Sequence, residues 1–159
     1  MKRVDLVIAV DDPRADDVRA LLVTHLSFAR DVTPEGHVHA LELDGLVDPA
    51  VTFFSVRRLG ELIGMGALKQ LDERHGELKS MHVKQAVRRD GVGTALVGHL
   101  LAEARRRGYA RVSLETGTGP AFAAGRALYE RTGFTRCPPF AQYWDNPHSV
   151  CMTIELTPE

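Results

Sequence analysis

The chain changes its period between Val83 and Leu96, and this change constrains the fold more than any other feature. Glu77 to Val83 reads as a strand, whose side chains alternate between two faces. Leu96, Val97, Leu100, Leu101 and Ala104 recur at helical spacing. Between the two lies Arg88-Arg89-Asp90-Gly91-Val92-Gly93-Thr94. The glycines permit positive φ and close approach of the backbone to a ligand. A helix start offers unpaired N–H groups and the positive end of its dipole. Successive amides aimed one way form a nest for an anion, and Arg88 and Arg89 add charge beside it. This chemistry suits a phosphate-bearing ligand. A flexible strand-to-helix turn with a solvated arginine pair would use the same G-x-G, and that alternative stays open at this point. A dinucleotide fingerprint requires a third glycine at position 96, where Leu96 stands, and the P-loop pattern G-x-x-x-x-G-K-[ST] is absent.

The elements on either side follow from similar patterns. Val4 to Val10 reads as a strand. Asp12 as N-cap and Pro13 at the first helical position begin a helix whose apolar stripe is Val18, Leu21, Leu22, Leu26 and Ala29. Asp16 and Asp17 complement its positive end. Thr33 to Gly36 is a loop, and His39 to Leu46 is a short helix or an irregular segment closed by Pro49. Val51–Arg58 and Glu61–Gln70 form a hairpin across Leu59-Gly60. After a polar loop from Asp72 to Gly76 the third strand of the meander is Glu77 to Val83. The central helix ends with Arg105 to Arg107 in its last turn and Gly108 as its stop. Arg111 to Glu115 is a strand, Gly117 to Pro120 a loop, and Ala121 to Thr132 a helix stopped by Gly133. Val150, Met152, Ile154 and Leu156 alternate with Cys151, Thr153 and Glu155 as a half-buried strand. The order is β-α-(α)-β-β-β-α-β-α-β-β. Only the strand pair around the central helix should be parallel, joined by a right-handed crossover.

At 159 residues the chain is expected to be one domain, 1–159, large enough to need no disulfide or structural metal. A net charge of −1 argues against a nucleic-acid binder. No apolar run approaches the ~18 residues of a membrane span, and Asp11, Asp12, Asp16 and Asp17 follow the start too closely for a signal peptide. Cys137 and Cys151 form no C-x-x-C pair and read as free thiols, so a cytoplasmic location is expected. His37 and His39 lack a partner pattern for a metal, and no metal is expected.

Arg88, Gly91 and Gly93, following an antiparallel strand and opening a helix, resemble the Gln/Arg-x-x-Gly-x-Gly/Ala pyrophosphate motif of the GNAT superfamily of acetyl-CoA-dependent N-acetyltransferases. Ala127-Leu128-Tyr129-Glu130-Arg131-Thr132-Gly133-Phe134 is similar to that family's Leu-Tyr-x-x-x-Gly-Phe element. The order of elements agrees over nearly the whole chain. The resemblance implies an α+β (mixed α/β) fold: a central mixed, mostly antiparallel sheet of about seven strands flanked by about four helices, splayed between the fourth and fifth strands. It implies acetyl-CoA as cosubstrate and a primary amine of a small molecule or peptide as acceptor, with direct transfer between them. A homodimer is compatible with it.

Residue by residue, the resemblance implies that the backbones of Met81, His82 and Val83 hydrogen-bond the pantetheine arm as a pseudo-strand. A backbone N–H from this stretch would polarise the thioester carbonyl. Arg88, Arg89, Asp90, Gly91, Val92, Gly93 and Thr94 would grip the pyrophosphate. Tyr129 would protonate the departing thiolate, and Glu77 is the candidate general base. Strict alternation would put Glu77 on one face with Lys79, Met81 and Val83, and His82 on the other. Glu115 is the other carboxylate near the splay, and His82 could also titrate near neutrality. Phe122 stands roughly where many members carry an asparagine on the cofactor, so ring or backbone packing would replace that amide.

Acceptor choice would fall to His37–Leu46 and to a late hairpin at Phe140–Ser149, with Phe140, Tyr143 and Trp144 as an aromatic cluster and Asp145 and His148 nearby. The cluster could hold an apolar part of a substrate or close the core. Two other functions compete: a non-catalytic acyl-CoA sensor, and a dinucleotide-binding oxidoreductase, against which Leu96 and the meander argue.

Overall fold

A computed structural model describes residues 6–32, 43–88 and 90–157. The strands are β1 (Leu6–Val10), β2 (Val51–Arg58), β3 (Glu61–Asp72), β4 (His75–Val83), β5 (Arg111–Gly117), β6 (Thr135–Cys137) and β7 (Ser149–Glu155). The helices are α1 (Asp16–Val32), α2 (Leu43–Leu46), α3 (Val92–Arg106) and α4 (Ala123–Thr132), with single 3-10 turns at Gln85–Val87 and Pro120–Phe122. One seven-stranded sheet runs in the order β1-β2-β3-β4-β5-β7-β6. Every neighbouring pair is antiparallel except β4 and β5. This is the mixed, mostly antiparallel sheet expected from the sequence.

Helices cover both faces. α3 and α4 press Leu96, Val97, Leu100, Leu101, Ala104 and Tyr129 onto Phe54, Ile63, Leu78, Val112, Leu114 and Met152. On the opposite face α1 and α2 bring Val18, Leu21, Leu22 and Leu46 against Phe53, Leu62, Met65 and Ala67. Of the α1 stripe read from sequence, Val18, Leu21 and Leu22 are buried in this contact, Leu26 packs against it, and Ala29 is buried beside the cleft.

The sheet opens at its only parallel seam. β4 and β5 pair through His75↔Arg111, Gly76↔Val112 and Glu77↔Ser113 and no further. Beyond Glu77, β4 runs on to Val83 and β5 to Gly117 without a ladder between them, so the sheet splays between its fourth and fifth strands, as expected.

Several local expectations are corrected. α1 begins at Asp16, not at Pro13. Asp12 closes a separate turn, where its carboxylate accepts from the Arg14 N–H at 2.9 Å, and the first helical bond runs from Arg19 N–H to the Ala15 carbonyl at 2.8 Å. The β3–β4 loop is shorter than its polarity suggested, because His75 and Gly76 already belong to β4. Tyr109 packs so closely over Gly76 that a Cβ there would stand 2.8 Å from its ring. The late hairpin is β6–β7, and Phe140 to His148 lie in its connecting loop, with Ser149 opening β7. Pro138, Pro139 and Pro147 cannot donate to a ladder, and residues 138–148 form an irregular loop between β6 and β7. That loop lies over β7 at Cys151, which is buried although it faces away from Met152. α4 starts at Ala123 after the 3-10 turn and ends at Gly133, whose φ of 116° supplies the left-handed stop.

One correction bears on the site. The β3–β4 register shifts between Met65↔His82 and Ala67↔Lys79, and Ser80 within the shift has φ 55°. This bulge inserts one residue and reverses the alternation after it. Met81 and Val83 therefore turn to the α3 face with Leu78, while His82 joins Glu77 and Lys79 on the α1 face, where it meets His25. The grouping of Glu77 with Met81 and Val83, and of His82 opposite to them, fails for this reason.

Candidate active site

The gap between β4 and β5 is a cleft of about 990 Å³. Its walls are Leu78–Val83 of β4, Leu114–Gly117 of β5, the start of α3, the inner side of α4 with Tyr129, and His25 and Phe28 of α1. Tyr143 and His148 of the 138–148 loop close one end. Since β5 diverges after Ser113, the edge of β4 that faces the cleft has no strand partner from Leu78 onward.

At the other end stands the glycine turn. Gly91 is the N-cap of α3 with φ 81°, and no side chain caps the helix. Its first amides are thus left for a ligand. Gly93 lets α3 approach α4, since a Cβ there would come 3.0 Å from Leu128 Cδ2. Arg88, Gly91, Gly93 and Thr94 all line the cleft. Arg88 also donates from Nε to the Val83 carbonyl at 3.2 Å, tying the turn to the end of β4. Two residues of the segment turn their side chains elsewhere. Asp90 reaches Arg58 at 3.6 Å, and Val92 is a core residue. Arg89 lies outside the described residues, as do His37 and His39. Leu96, at the position of a third glycine, is fully buried in the core.

Tyr129 stands on the α4 wall, and burial pushes its hydroxyl up to about 12. Phe122 lies over Gly117, with no room for a Cβ between them, and packs edge-on against Phe28 with ring centres 5.6 Å apart. It is therefore part of an aromatic wall that joins the start of α4 to α1. His25 and His82 continue that wall, with their Nδ1 atoms 3.1 Å apart. Burial holds both imidazoles down to about 4, so each is neutral near pH 7; His82 further depresses His25, and Arg88 depresses His82.

The charged groups gather on the α1 face at the closed end of the cleft. Glu77 is fully buried and is not part of the cleft wall. Its Oε2 accepts from the Tyr143 hydroxyl at 2.5 Å and from Lys79 Nζ at 3.3 Å. Lys79 Nζ also donates to the Tyr143 oxygen at 2.6 Å. Lys79 and Glu115, unlike Glu77, do line the cleft. Burial pushes the Glu115 carboxyl up to about 7 and the Glu77 charge adds to this, while the Ser149 hydroxyl and Lys79 pull it back. Such a group exchanges protons near neutrality. The sequence reading named Glu77, Glu115 and Tyr143 but did not join them, and it missed Lys79, His25 and Phe28 as parts of the site. A lysine set among apolar strand residues, two positions after a glutamate, was the available signal for Lys79; nothing in the α1 pattern marked His25 or Phe28. No group of three or more His, Cys, Asp or Glu side chains suited to a metal occurs among the described residues.

Comparison with known proteins agrees with this geometry. Residues 17–134 match the acetyltransferase (GNAT) family. An uncharacterized N-acetyltransferase of Bacillus subtilis, YsnE, is 44% identical over 149 residues, which cover 94% of this chain and 99% of that protein. The crystal structure of an acyl-CoA N-acyltransferase candidate from Klebsiella pneumoniae superposes with a TM-score of 0.81 at 29% identity, covering 96% of this chain and 98% of the other. A GNAT family acetyltransferase from Elizabethkingia anophelis, solved with acetyl-CoA bound, shares the fold with a TM-score of 0.70 at 18% identity, over 96% of this chain and 99% of that one.

Proposed function

Because the chain belongs to the GNAT family of acetyltransferases, we propose that it moves the acetyl group of acetyl-CoA directly to a primary amine of a small molecule or peptide. The observation that carries this reading is the opened β4–β5 seam, with an uncapped helix start at one end and a buried tyrosine and the half-buried Glu115 carboxyl on its walls. The Elizabethkingia protein of the same fold holds acetyl-CoA. Here the free β4 edge at Met81, His82 and Val83 suits a pantetheine arm lying alongside as a pseudo-strand. The amides of Gly91 to Thr94, with Arg88, suit its pyrophosphate.

The acceptor then approaches from the side of α1 and the 138–148 loop, between Phe28, Phe122, Tyr143 and His148. Most amines arrive as ammonium ions and must lose a proton before they can attack. Glu115 takes that proton in our assignment: it lines the cleft, and a carboxyl held near 7 is matched to the task. Glu77, sealed behind Tyr143 and Lys79, lacks a path to the amine. The amine lone pair attacks the thioester carbonyl, and a β4 backbone N–H stabilises the charge that develops on oxygen. The carbon–sulfur bond breaks, and Tyr129, kept protonated by burial, returns a proton to the leaving thiolate. As the amide forms, the nitrogen's second proton restores the Tyr129 hydroxyl, and Glu115 releases the proton it took to water.

Release of free CoA thiol across a panel of amines tests the proposal. Absence of acetyl-CoA binding by calorimetry would overturn it. Tight binding with no turnover on any amine would favour the second reading, a non-catalytic acyl-CoA sensor.

A further inference from the structure

The cluster behind the cleft contains more ionisable groups than a single proton transfer uses. Glu77 and Ser113 are partners in the last rung of the parallel seam. Lys79 and Glu115 each stand two residues beyond that rung on the same face, one on either side of the opening. Lys79 is only 4% exposed and Glu77 1%, so neither charge is screened by bulk water. The phenol between them has its directions fixed. It gives its proton to Glu77 and offers a lone pair to Lys79, so the ammonium is held at two points and kept beside the cleft. Tyr143 cannot give up its proton there; burial and the adjacent Glu77 carboxylate push it far above the usual phenol range.

We propose that Lys79, fixed by Glu77 and Tyr143, is a positioning residue that keeps the Glu115 carboxylate ready to accept the proton of the acceptor. The inference rests on the assignment of Glu115 as that acceptor. The groups around Glu115 make its sense definite. From β4 come Lys79, which favours the carboxylate, and Glu77, which opposes it. From β7 the Ser149 hydroxyl donates to it, itself oriented by Asn146 Nδ2 at 3.1 Å, and Cys151 stands opposite in the ladder. From the loop come Tyr143 and His148, and from across the cleft the neutral pair His25 and His82. Arg126 is committed to the carbonyls of Gly117 and Gly119 at 2.8 and 2.9 Å. Lys79, two residues beyond the last rung on the same face as Glu115, is the cation among these groups that favours its carboxylate, and Tyr143 ties its place to the docking of the acceptor loop.

The test is a pair of opposed pH shifts. The acid limb of kcat/KM for the amine, at saturating acetyl-CoA, is measured for the wild type, Lys79→Met, Lys79→Arg and Glu77→Gln. Removing the cation should move the limb to higher pH by about one unit, and removing the neighbouring anion should move it lower by a similar amount. Lys79→Arg should restore the wild-type position. The Glu115 carboxyl is followed in parallel by ¹³C NMR of side-chain-labelled glutamate, assigned with Glu115→Gln, so the inference can be judged even if no amine is turned over. Opposed movements of that resonance support it. Coincident titrations in the wild type and Lys79→Met, with only kcat reduced, would overturn it and make Lys79 structural. If Lys79→Met fails to fold, Lys79→Gln takes its place: a Glu115 titration that stays at the wild-type position also overturns the inference.

Discussion

Two tyrosines border the same cleft and have opposite prospects as acids. Burial alone raises Tyr129 to about 12, so it can donate once a thiolate forms beside it. Tyr143 is bound to a carboxylate that holds its proton in place. Tyr129→Phe should therefore lower kcat by about 10²–10⁴-fold and leave acetyl-CoA affinity nearly unchanged, as steady-state rates and calorimetry would report. The histidine pair carries a stability signature of its own. Its imidazoles sit near 4 in the folded protein and near their ordinary 6.5 when unfolded. The unfolded chain then binds more protons, so stability is full above about pH 6.5 and is lost as the pH falls toward 4. Glu115 acts in the reverse sense, gaining stability as the pH falls below about 7, so the comparison must be made between variants. Between pH 7 and 4.5, denaturant titration should show the wild type losing on the order of 5 kcal/mol more than the His25→Gln/His82→Gln double variant, about half from each imidazole. Tyr129 was legible because it lies in a short local motif. The Lys79–Tyr143 contact was not, since 64 positions separate the partners and only the folded loop brings them together.

At the scale of elements, the strands and helices were readable from periodicity, while the places that break the period were not. The bulge at Ser80 leaves no mark in Glu77-Leu78-Lys79-Ser80-Met81-His82-Val83, yet it decides which side chains enter which half of the cleft. The resemblance placed a late hairpin at Phe140–Ser149; β6 and β7 do pair, but residues 138–148 are the irregular loop between them, where Pro138, Pro139 and Pro147 cannot join a ladder. The glycine turn was legible because its function depends on the backbone. Gly91 holds φ 81° at the start of α3. A side chain there costs about 1 kcal/mol, and Gly91→Ala should lower Tm by about 2–4 °C in a domain of this size. The same substitution should weaken acetyl-CoA binding, because the first amides of α3 take their aim from this turn; calorimetry on the variant checks it.

At the scale of the molecule, the sheet is two smaller sheets joined by a short seam. β1–β4 and β5–β7 share three rungs, from His75↔Arg111 to Glu77↔Ser113. The meander and its parallel neighbour followed from the order of elements, but the place of β7 between β5 and β6 and the point where the seam stops did not; only the family resemblance implied the splay. Amides on the cleft-facing side of Ser80–Val83 and Leu114–Gly117 should exchange with solvent faster than those between β2 and β3. They should gain protection when acetyl-CoA is added, and at a ligand concentration of 100 Kd the whole protein should gain about 2.7 kcal/mol. Hydrogen exchange with and without acetyl-CoA measures both. The open seam has a further cost in a crowded solution. Sheet proteins usually keep unpaired strand edges short, charged or covered at their rims, whereas this one has such an edge in the middle of its sheet, from Leu78 to Val83. The ligand-free form is therefore the one open to strand addition from another chain, and a falling supply of acetyl-CoA would favour aggregation as well as idleness.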